Sequence, residues 1–548
     1  MGAVSGRVWE PGGGHLSVPD SPALESSTTN PKAAATRVLS AGAFGRNDWT
    51  VKEALVSPDS DTLENESLQL IRTKGVAGET GTSLDERHDR TGGEENVALG
   101  QLDVRVGALE REKKLGTGNV LDDLPPEAWE PCHWCRNESV GGGFSFSSQE
   151  ATCPGREADA NGQPYRIRGF IIPETTGGLN QIRRYICNAV GLAHLLHAAL
   201  VLPRLQADVF WKDGGAFEDV FDVDHFIGRL RGVVPVVREL PKILQGLPPT
   251  EIKVSRFDKP SDYVRWVLPV LQRRAVIKLR ARFGGEYEPG FDHFEQARCR
   301  ACFGAFKFVD HVAETGELLL ARMREKGRFA ALHLRFEPDM VAFSRCDYPD
   351  LLPASADVLQ SIRSTSRKFN KRKQVEAAEL RRQGLCPLTP AETAKVFLAL
   401  GIPTELPVYL ATGDFLEPEG LTSVYRNTFR KSDLLTKAEL EPYGGRANLL
   451  VALDFYVATR SDYFLATFYS NVEQMVVSDR TLSGRRHSLI LNRTAVAEAP
   501  AHEGEWPTFK AMMLRSHLGE QVTVQAGQVP EKLPYCMCPK RTSSEGAR

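Results

Sequence analysis

The alternation between apolar runs and helical stripes is the feature that most constrains the fold of this chain. The run "YRIRGFII" (165–172), closed by Pro173, is typical of a buried strand. A long apolar stripe with helical spacing follows it, and "AALVLP" (198–203) is a second short run. Because parallel strands need a long crossover that is usually a helix, this order predicts a strand–helix–strand unit of a parallel sheet.

The same order returns in the second half of the chain. Strand-like runs occur at 328–334, 406–412 and 462–467, and helical patterns occur at 389–400 and 448–459. Two blocks of alternating strands and helices predict an α/β protein with two Rossmann-like, doubly wound lobes and a cleft between them.

The lobe boundaries follow from where this pattern begins and pauses. We expect an N-terminal lobe over 126–320 and a C-terminal lobe over 321–540, with a solvated insertion at 354–385. Residues 1–125 are rich in small and charged residues and show no sustained periodicity. They are expected to form a disordered tail or stem.

The composition limits the partners of the protein. The chain has 548 residues and a formal net charge of −2, so nothing attracts it to nucleic acid or an anionic membrane, and we predict no nucleic-acid partner. Its longest apolar run, interrupted by His194 and His197, is shorter than the roughly 18 residues of a membrane helix. Its N-terminus lacks the basic-then-apolar order of a signal peptide.

The cysteine content bears on the compartment. Ten cysteines, an even number, suit a disulfide-bearing secretory domain.

The strongest polar cluster lies where a predicted buried strand ends. Ligands of doubly wound sheets bind beyond such carboxyl ends. The stretch "HLRFEPDM" places His333, Arg335, Glu337 and Asp339 there. Arginine suits a diphosphate because its planar guanidinium donates two charge-assisted hydrogen bonds. A structural Arg–Glu ion pair at the sheet edge explains the same residues equally well.

Two further strand ends also carry polar residues. Thr412 and Asp414 follow the strand at 406–412, but an ordinary turn is the simpler interpretation because Gly and Asp are common in turns. After the strand at 462–467, Ser470 and Glu473 have the spacing of a capping box. The N–H groups at that helix start can hold a phosphate, and a helix that is merely capped is the alternative.

Five segments, taken in order, carry a resemblance to a known family. They are "GGLNQIRRYICNAVGLAHLLHAALVLPRL", "FWKDGGAFEDVFDVDHFI", "ALHLRFEPDMVAFSRC", "CPLTPAE" and "LDFYVATRSDYFLAT". This set closely resembles the plant-type O-fucosyltransferase family, relatives of the GDP-fucose protein O-fucosyltransferases that include pectin rhamnosyltransferases. The resemblance spans roughly 160–540.

The resemblance implies a GT-B glycosyltransferase that inverts the sugar configuration and requires no metal. The implied donor is GDP-fucose, with UDP-rhamnose as the alternative, and the implied acceptor is a hydroxyl of a protein or a polysaccharide. The family's location in the secretory pathway implies the Golgi.

The resemblance also assigns roles to residues, with Arg335 holding the donor's β-phosphate. The expected catalytic residues are Arg335, Glu337 and Asp339. The carboxylates are candidates from the sequence itself, because the resemblance supplies no base, and the base among Glu337, Asp339 and Asp414 is left open. The expected donor-binding residues are His333, Arg335, Asp414, Asp462, Thr467, Ser470 and Asn471. The expected acceptor-cleft residues are Gly177, Gly178, Asn180 and Arg183.

One departure from the family supports a second hypothesis. The donor turn "TFYSN" carries bulky Phe468 and Tyr469 where the family usually has Gly or Ser. This favours a catalytically silent relative that acts as a scaffold in polysaccharide synthesis. The intact "HLRFE" favours an active enzyme.

The thiols and paired carboxylates support weaker metal hypotheses. Asp222-Val223-Asp224 is a DxD pattern, but it lies in a segment that resembles a structural part of the family. Cys132-x-x-Cys135 with Cys299-x-x-Cys302 has the ligands of a four-thiolate zinc site, which would make the protein a zinc-dependent interaction module. Their wide separation and the secretory family favour disulfides. Cys187, on the helix stripe, is expected to be a buried thiol.

Overall fold

The computed structural model of the protein describes the parts of the chain that hold its two sheets. The described residues are 120–122, 129–131, 167–175, 177–205, 213, 215–252, 259–279, 288–365, 376–468, 470–485, 487–499, 505–518 and 536–539. Most of the expected tail, together with Tyr469, Cys132 and Cys135, lies outside them. The two lobes belong to one compact unit.

The N-terminal lobe is built on a five-stranded parallel sheet. The short strand β1 (Trp129–Pro131) comes first in the chain and does not belong to this sheet. The strands of the sheet are β2 (Phe170–Pro173), β3 (Ala199–Val201), β4 (Val236–Val237), β5 (Thr250–Ile252) and β6 (Val276–Leu279). Their spatial order is β4-β3-β2-β6-β5, and every neighbouring pair is parallel. The direction of winding reverses between β2 and β6, which makes this the first topological switch point.

Helices cover this sheet. They are α1 (Leu179–Leu196), α2 (Val223–Leu230), α3 (Pro260–Trp266), α4 (Leu268–Arg274) and α5 (Asp292–Arg300), with a π-turn at Ala301–Ala305 and 3₁₀ turns at Phe217–Asp219 and Lys242–Leu244. The stripe of α1 is fully buried at Ile182, Ile186 and Val190, as its spacing predicts. Gly191 lets α1 approach α5 closely, because a β-carbon there would lie 2.7 Å from the Phe294 ring.

The C-terminal lobe repeats the design with a second parallel sheet. Its strands are β7 (Ala330–His333), β8 (Val408–Leu410), β9 (Thr428–Phe429), β10 (Tyr463–Ala466) and β11 (Ser488–Ile490). Their order, β9-β8-β7-β10-β11, is that of a Rossmann sheet with its switch point between β7 and β10. The prediction of two doubly wound α/β lobes is confirmed.

The helices of this lobe include those marked by capping signals in the sequence. They are α6 (Asp310–Arg324), α7 (Pro338–Ser344), α8 (Pro353–Thr365), α9 (Ala377–Arg382), α10 (Pro390–Leu400), α11 (Glu419–Thr422), α12 (Lys431–Leu434), α13 (Lys437–Leu440), α14 (Ala447–Arg460), α15 (Asn471–Leu482), α16 (Arg493–Glu498) and α17 (Trp506–Leu518), with a 3₁₀ turn at Glu441–Tyr443. Capping boxes close the starts of α10 at Thr389 and of α15 at Ser470.

Two segments are more tightly held than the sequence suggested. The insertion at 354–385 contributes α8 and α9 to the fold, and a disulfide between Cys346 and Cys386 joins its two ends. Val120 and Leu121, placed in the tail by the sequence, are buried in the core of the C-terminal lobe.

Disulfides overturn the expected free thiol at Cys187 and bear out the preference for disulfides over a zinc site at Cys299 and Cys302. Cys187 is not a free thiol, because it is bonded to Cys302, and this bond ties α1 to the π-turn. Cys299 is bonded to Cys536, next to β12 (Met537–Pro539), which pairs antiparallel with β1. Since Cys299 and Cys302 lie in different disulfides, the four-thiolate zinc site is wrong.

Candidate active site

The site forms at the switch point of the C-terminal sheet, where β7 and β10 end side by side. His333 and Ala466 are register partners in the last pair of these strands. Beyond them the Thr467 N–H donates to the His333 carbonyl at 3.2 Å, and the Arg335 N–H donates to Thr467 Oγ1 at 3.1 Å. The structure therefore brings His333, Arg335 and Thr467 together, as the sequence predicts.

His333 forms an ion pair that sequence reasoning missed. Its Nδ1 lies 2.6 Å from Glu473 Oε1, and both side chains are buried. Burial alone would lower the pKa of His333, but the Glu473 carboxylate outweighs this effect and holds that pKa above its ordinary value. The pKa of Glu473 is lowered, because His333 and the Ser470 hydroxyl outweigh the opposing effect of burial. The pair with Glu473 therefore favours the protonated form of His333, next to the start of α15.

Arg335 is held by Glu337 but retains free hydrogen-bonding capacity. Its Nη1 donates to Glu337 Oε1 at 2.8 Å, and Thr412 Oγ1 lies 3.5 Å from the same oxygen. Arg335 Nε and Glu337 Oε2 are buried without a hydrogen-bond partner among the described residues. Since an unsatisfied buried donor is costly, this arrangement suits a ligand that accepts from Arg335.

Asp339 is the second carboxylate beside Arg335. Burial raises the pKa of the Asp339 carboxyl, and the guanidinium of Arg335 offsets this effect only in part. A carboxylate whose pKa is raised in this way is a better proton acceptor than one in water.

The start of α15 lies at the same place and is closed by its capping box. Ser470 Oγ accepts from the Val472 N–H at 3.2 Å, while the Ser470 N–H donates to Glu473 Oε2 at 2.8 Å. Arg184, at the start of α1 in the other lobe, donates from Nη1 to Asn471 Oδ1 at 2.9 Å. The two switch points therefore adjoin, with a second arginine at the start of α15.

The residues expected to line the acceptor cleft lie at this junction, and two of them are buried. The Arg183 guanidinium sits 4.3 Å from the centre of the Phe455 ring, and burial lowers its pKa to about 10. Asn180 Nδ2 and Arg183 Nε are buried without a hydrogen-bond partner in the described part of the chain. Gly177 adopts φ +91°, a left-handed conformation that favours glycine, and Gly178 precedes the first residue of α1.

Two expected donor-binding residues are not part of this cluster. Asp414 has 89% of its side chain exposed and pairs with Arg430 at 2.8 Å. Asp462 precedes β10 and therefore lies at the amino edge of the sheet, where its Oδ2 accepts from the Phe329 N–H at 2.9 Å.

The DxD residues have structural contacts. Asp222 caps α2 by accepting from the His225 N–H at 2.9 Å, and it also pairs with Lys307. Asp224 forms an exposed pair with Arg238. In the segments that the structure describes, no three His, Cys, Asp or Glu side chains are placed to share a metal ion.

Known proteins resemble the chain over both lobes. A profile of the family described as GDP-fucose protein O-fucosyltransferase matches residues 170–483. O-fucosyltransferase 13 of Arabidopsis thaliana is 35% identical over 68% of this chain and 83% of its own length. Rhamnogalacturonan I rhamnosyltransferase 1 of the same plant is 33% identical over 64% of this chain and 73% of its own length. A crystal structure of POFUT1 in complex with GDP covers 59% of this chain and 98% of its own, with 13% identity and a TM-score of 0.35.

The family resemblance seen in the sequence is thereby confirmed. The family profile spans both switch points, and its match ends just after α15. Two Rossmann-like lobes with adjoining switch points form the GT-B arrangement. The chain belongs to the GDP-fucose protein O-fucosyltransferase family and is a glycosyltransferase.

Proposed function

We propose that the protein transfers fucose from GDP-fucose to a hydroxyl of a protein or a glycan, with inversion and without a metal. The observation that carries this proposal is the unsatisfied Arg335 Nε at the switch point between β7 and β10. The names of its relatives, which include O-fucosyltransferases, support the choice of sugar.

Three positive features converge where the donor's diphosphate would bind. The Arg335 guanidinium has an unused donor, the pair with Glu473 favours the protonated form of His333, and the positive end of the α15 dipole lies at the same place. Negative charge grows on the diphosphate as the sugar leaves. Fixed positive groups in a water-poor site therefore stabilise the transition state more than the ground state.

The two carboxylates beside Arg335 have different proposed roles. Glu337 orients the Arg335 guanidinium through its 2.8 Å contact. Asp339, whose pKa is raised by burial, is the proposed base that takes the proton of the acceptor hydroxyl. A pH profile of kcat in which Asp339→Asn lacks the acid limb would support this role, and an unchanged profile would exclude it.

Titration calorimetry with GDP, GDP-fucose, UDP and UDP-rhamnose tests the donor site. We expect the GDP series to bind and Arg335→Ala to lower kcat by roughly 10²- to 10³-fold, because a fixed electrostatic donor is lost. Arg335→Lys should recover only part of the loss, since lysine cannot donate through two parallel bonds. Arg426→Ala, at an exposed site, is the control.

Three results of this experiment would change the proposal. Near-normal turnover by Arg335→Ala would remove Arg335 from the mechanism. Selective binding of the UDP series would make UDP-rhamnose the donor, an alternative supported by the rhamnosyltransferase relative. No binding of any nucleotide to the folded protein would favour a silent scaffold in polysaccharide synthesis.

We also propose that the protein works in the secretory pathway, in the Golgi. Three disulfides among the described residues support an oxidising compartment, because cytosolic thiols are kept reduced. No helix in the described segments combines the length and apolar character needed to cross a bilayer. Fractionation of plant cells expressing the tagged full chain tests the location, and a cytosolic pool alone would contradict it.

A further inference from the structure

A basic depression lies at the amino edge of the C-terminal sheet, at the opposite ends of the strands from the switch point. Its volume is about 560 Å³, which is within the range of sites for small organic ligands. The residues that line it come from the ends of α6, α14 and α15 and from the starts of β7, β10 and β11. They are Arg324, Arg328, Arg460, Ser461, Asp462, Gly484, Arg485 and His487.

A buried arginine fixes the inner wall of this basic depression. Arg480 is fully buried, and its Nη1 donates to the Ser461 carbonyl at 2.8 Å. Its Nη2 donates to the carbonyls of Asp462 and His487, each at 3.1 Å. One guanidinium therefore ties together lining residues that precede two different strands, so the wall is held in place before any ligand arrives.

The arginines that line the depression differ in how they are held. Arg460 packs 3.7 Å from the centre of the Tyr456 ring, and Arg328 pairs with Asp122 at 2.7 Å. Arg324 and Arg485 are exposed, and within the described segments neither side chain has a hydrogen bond or an ion pair. Two guanidinium groups are thus available to a ligand beside two that are already oriented.

Positive charge is in excess at this place. Among the lining residues, four guanidinium groups meet one carboxylate, and that carboxylate, Asp462, already accepts from the Phe329 N–H. Outside the lining, Asp479 interacts first with Arg183 and then with Arg460, Arg485 and Arg480. Like charges at short range repel each other, so an anion bound among these arginines would relieve their repulsion. The excess is local, because the whole chain has a net charge of −2.

Helix ends explain only part of this arrangement. The C-termini of α6 and α14 carry Arg324 and Arg460, and cations are favoured at such ends by the helix dipole. Arg328 belongs to no helix, and Arg485 follows α15 by three positions. The helix dipole accounts for a cation at each helix end, but it does not explain why four arginines line the same depression.

We propose that the basic depression binds an anionic sugar with at least two oxyanion groups, the carboxylates of an acidic oligosaccharide or the phosphates of a phosphorylated sugar. Arginine matches both groups because its planar fork pairs with two oxygens of a carboxylate or a phosphate. The depression is larger than a single ion requires. The site lies apart from the switch point and does not depend on the proposed donor.

Calorimetry on the full chain tests this proposal, with excess GDP present throughout and three probes. The probes are trigalacturonate, fructose 1,6-bisphosphate and the neutral trisaccharide maltotriose. The double variant Arg324→Ser/Arg485→Ser removes the two available guanidinium groups at exposed positions. The double variant Arg231→Ser/Arg426→Ser removes the same charge from exposed positions elsewhere.

We expect at least one anionic probe to bind and maltotriose not to bind. The Arg324/Arg485 variant should weaken that binding by at least about tenfold, since charge-assisted pairs are lost, while the Arg231/Arg426 variant should not. Asp462→Asn should strengthen it by removing a lining carboxylate. The preferred probe identifies the source of the oxyanion. No binding by either anion, or equal loss in the two double variants, would overturn the proposal.

Discussion

At the scale of single residues, Glu473 has two partners, of which the sequence predicts one. Its Oε2 accepts from the Ser470 N–H and closes the capping box, and the spacing of three positions predicts this contact. Its Oε1 pairs with His333, which is 140 positions away. A contact over that separation depends on how β7 and β10 pair, so no local pattern indicates it.

The His333–Glu473 pair predicts a dependence of stability on pH. The raised pKa of His333 contributes stability fully below its ordinary value of 6.5 and loses it as pH rises through the folded value. The lowered pKa of Glu473 contributes stability above its ordinary value of 4.5 and loses it as pH falls. We therefore expect the free energy of unfolding to decrease as pH rises above 6.5.

The variant Glu473→Gln checks this pH dependence. Glutamine keeps the capping box but removes the charge, so we expect a loss of roughly 1–3 kcal/mol near pH 6 and a flatter curve above pH 6.5. Urea unfolding from pH 5 to 9 measures both quantities. Parallel curves for wild type and variant would show that His333 is not charged by this pair.

At the scale of elements, α10 and α15 begin with the same capping motif but lie in different surroundings. Both have a capping box, at Thr389 and at Ser470. The start of α15 adjoins Arg335 and Arg184, whereas α10 packs in the core on one face of the C-terminal sheet. The spacing of Ser470 and Glu473 predicts the cap of α15 because that signal is local, whereas the place of this helix start at the donor site was implied by the family resemblance.

Paired alanine variants separate the contribution of a capping box to stability from its contribution to GDP binding. Thr389→Ala and Ser470→Ala should each lower the free energy of unfolding by about 1 kcal/mol. Only Ser470→Ala should also weaken GDP binding, because it disturbs the backbone donors of α15. Calorimetry and thermal unfolding of both variants measure the difference. Equal GDP affinity in the two would remove the start of α15 from the donor site.

The sequence predicted some elements and not others for physical reasons. The long apolar runs correspond to β2, β3, β7, β8 and β10; β2 is buried at alternate positions, and the other four are buried throughout. The strands β4 and β9 have two residues each, all only partly buried, so they leave no pattern to detect. The family resemblance implied a donor-binding role for Asp462, yet this residue precedes β10 and lies at the amino end of that strand.

At the scale of the whole molecule, Arg184 joins the two lobes at their switch points. It is 8% exposed and donates to Asn471 across the lobe boundary. In-line attack requires the acceptor side and the donor side to be held in one geometry. The sequence indicated the motif around Arg184 but not its partner, because lobe packing is a property of the folded chain.

Removing Arg184 should therefore affect turnover more than nucleotide affinity. We expect Arg184→Ala to cost roughly 1–3 kcal/mol of stability, since a buried charged hydrogen bond is lost. It should lower kcat more than it weakens GDP binding. Arg238→Ala, which removes an exposed pair with Asp224, should cost at most about 1 kcal/mol and leave kcat unchanged. If GDP affinity and kcat fall equally in Arg184→Ala, the residue acts on the nucleotide itself.

The bond between Cys299 and Cys536 closes a covalent ring around the C-terminal lobe. The two residues are 237 positions apart, and all strands of that lobe lie between them. A protease that cuts once anywhere inside this ring therefore releases no fragment, because the pieces remain joined through α5. Such a nicked molecule would run at full length on a non-reducing gel and would separate only after its disulfides are reduced.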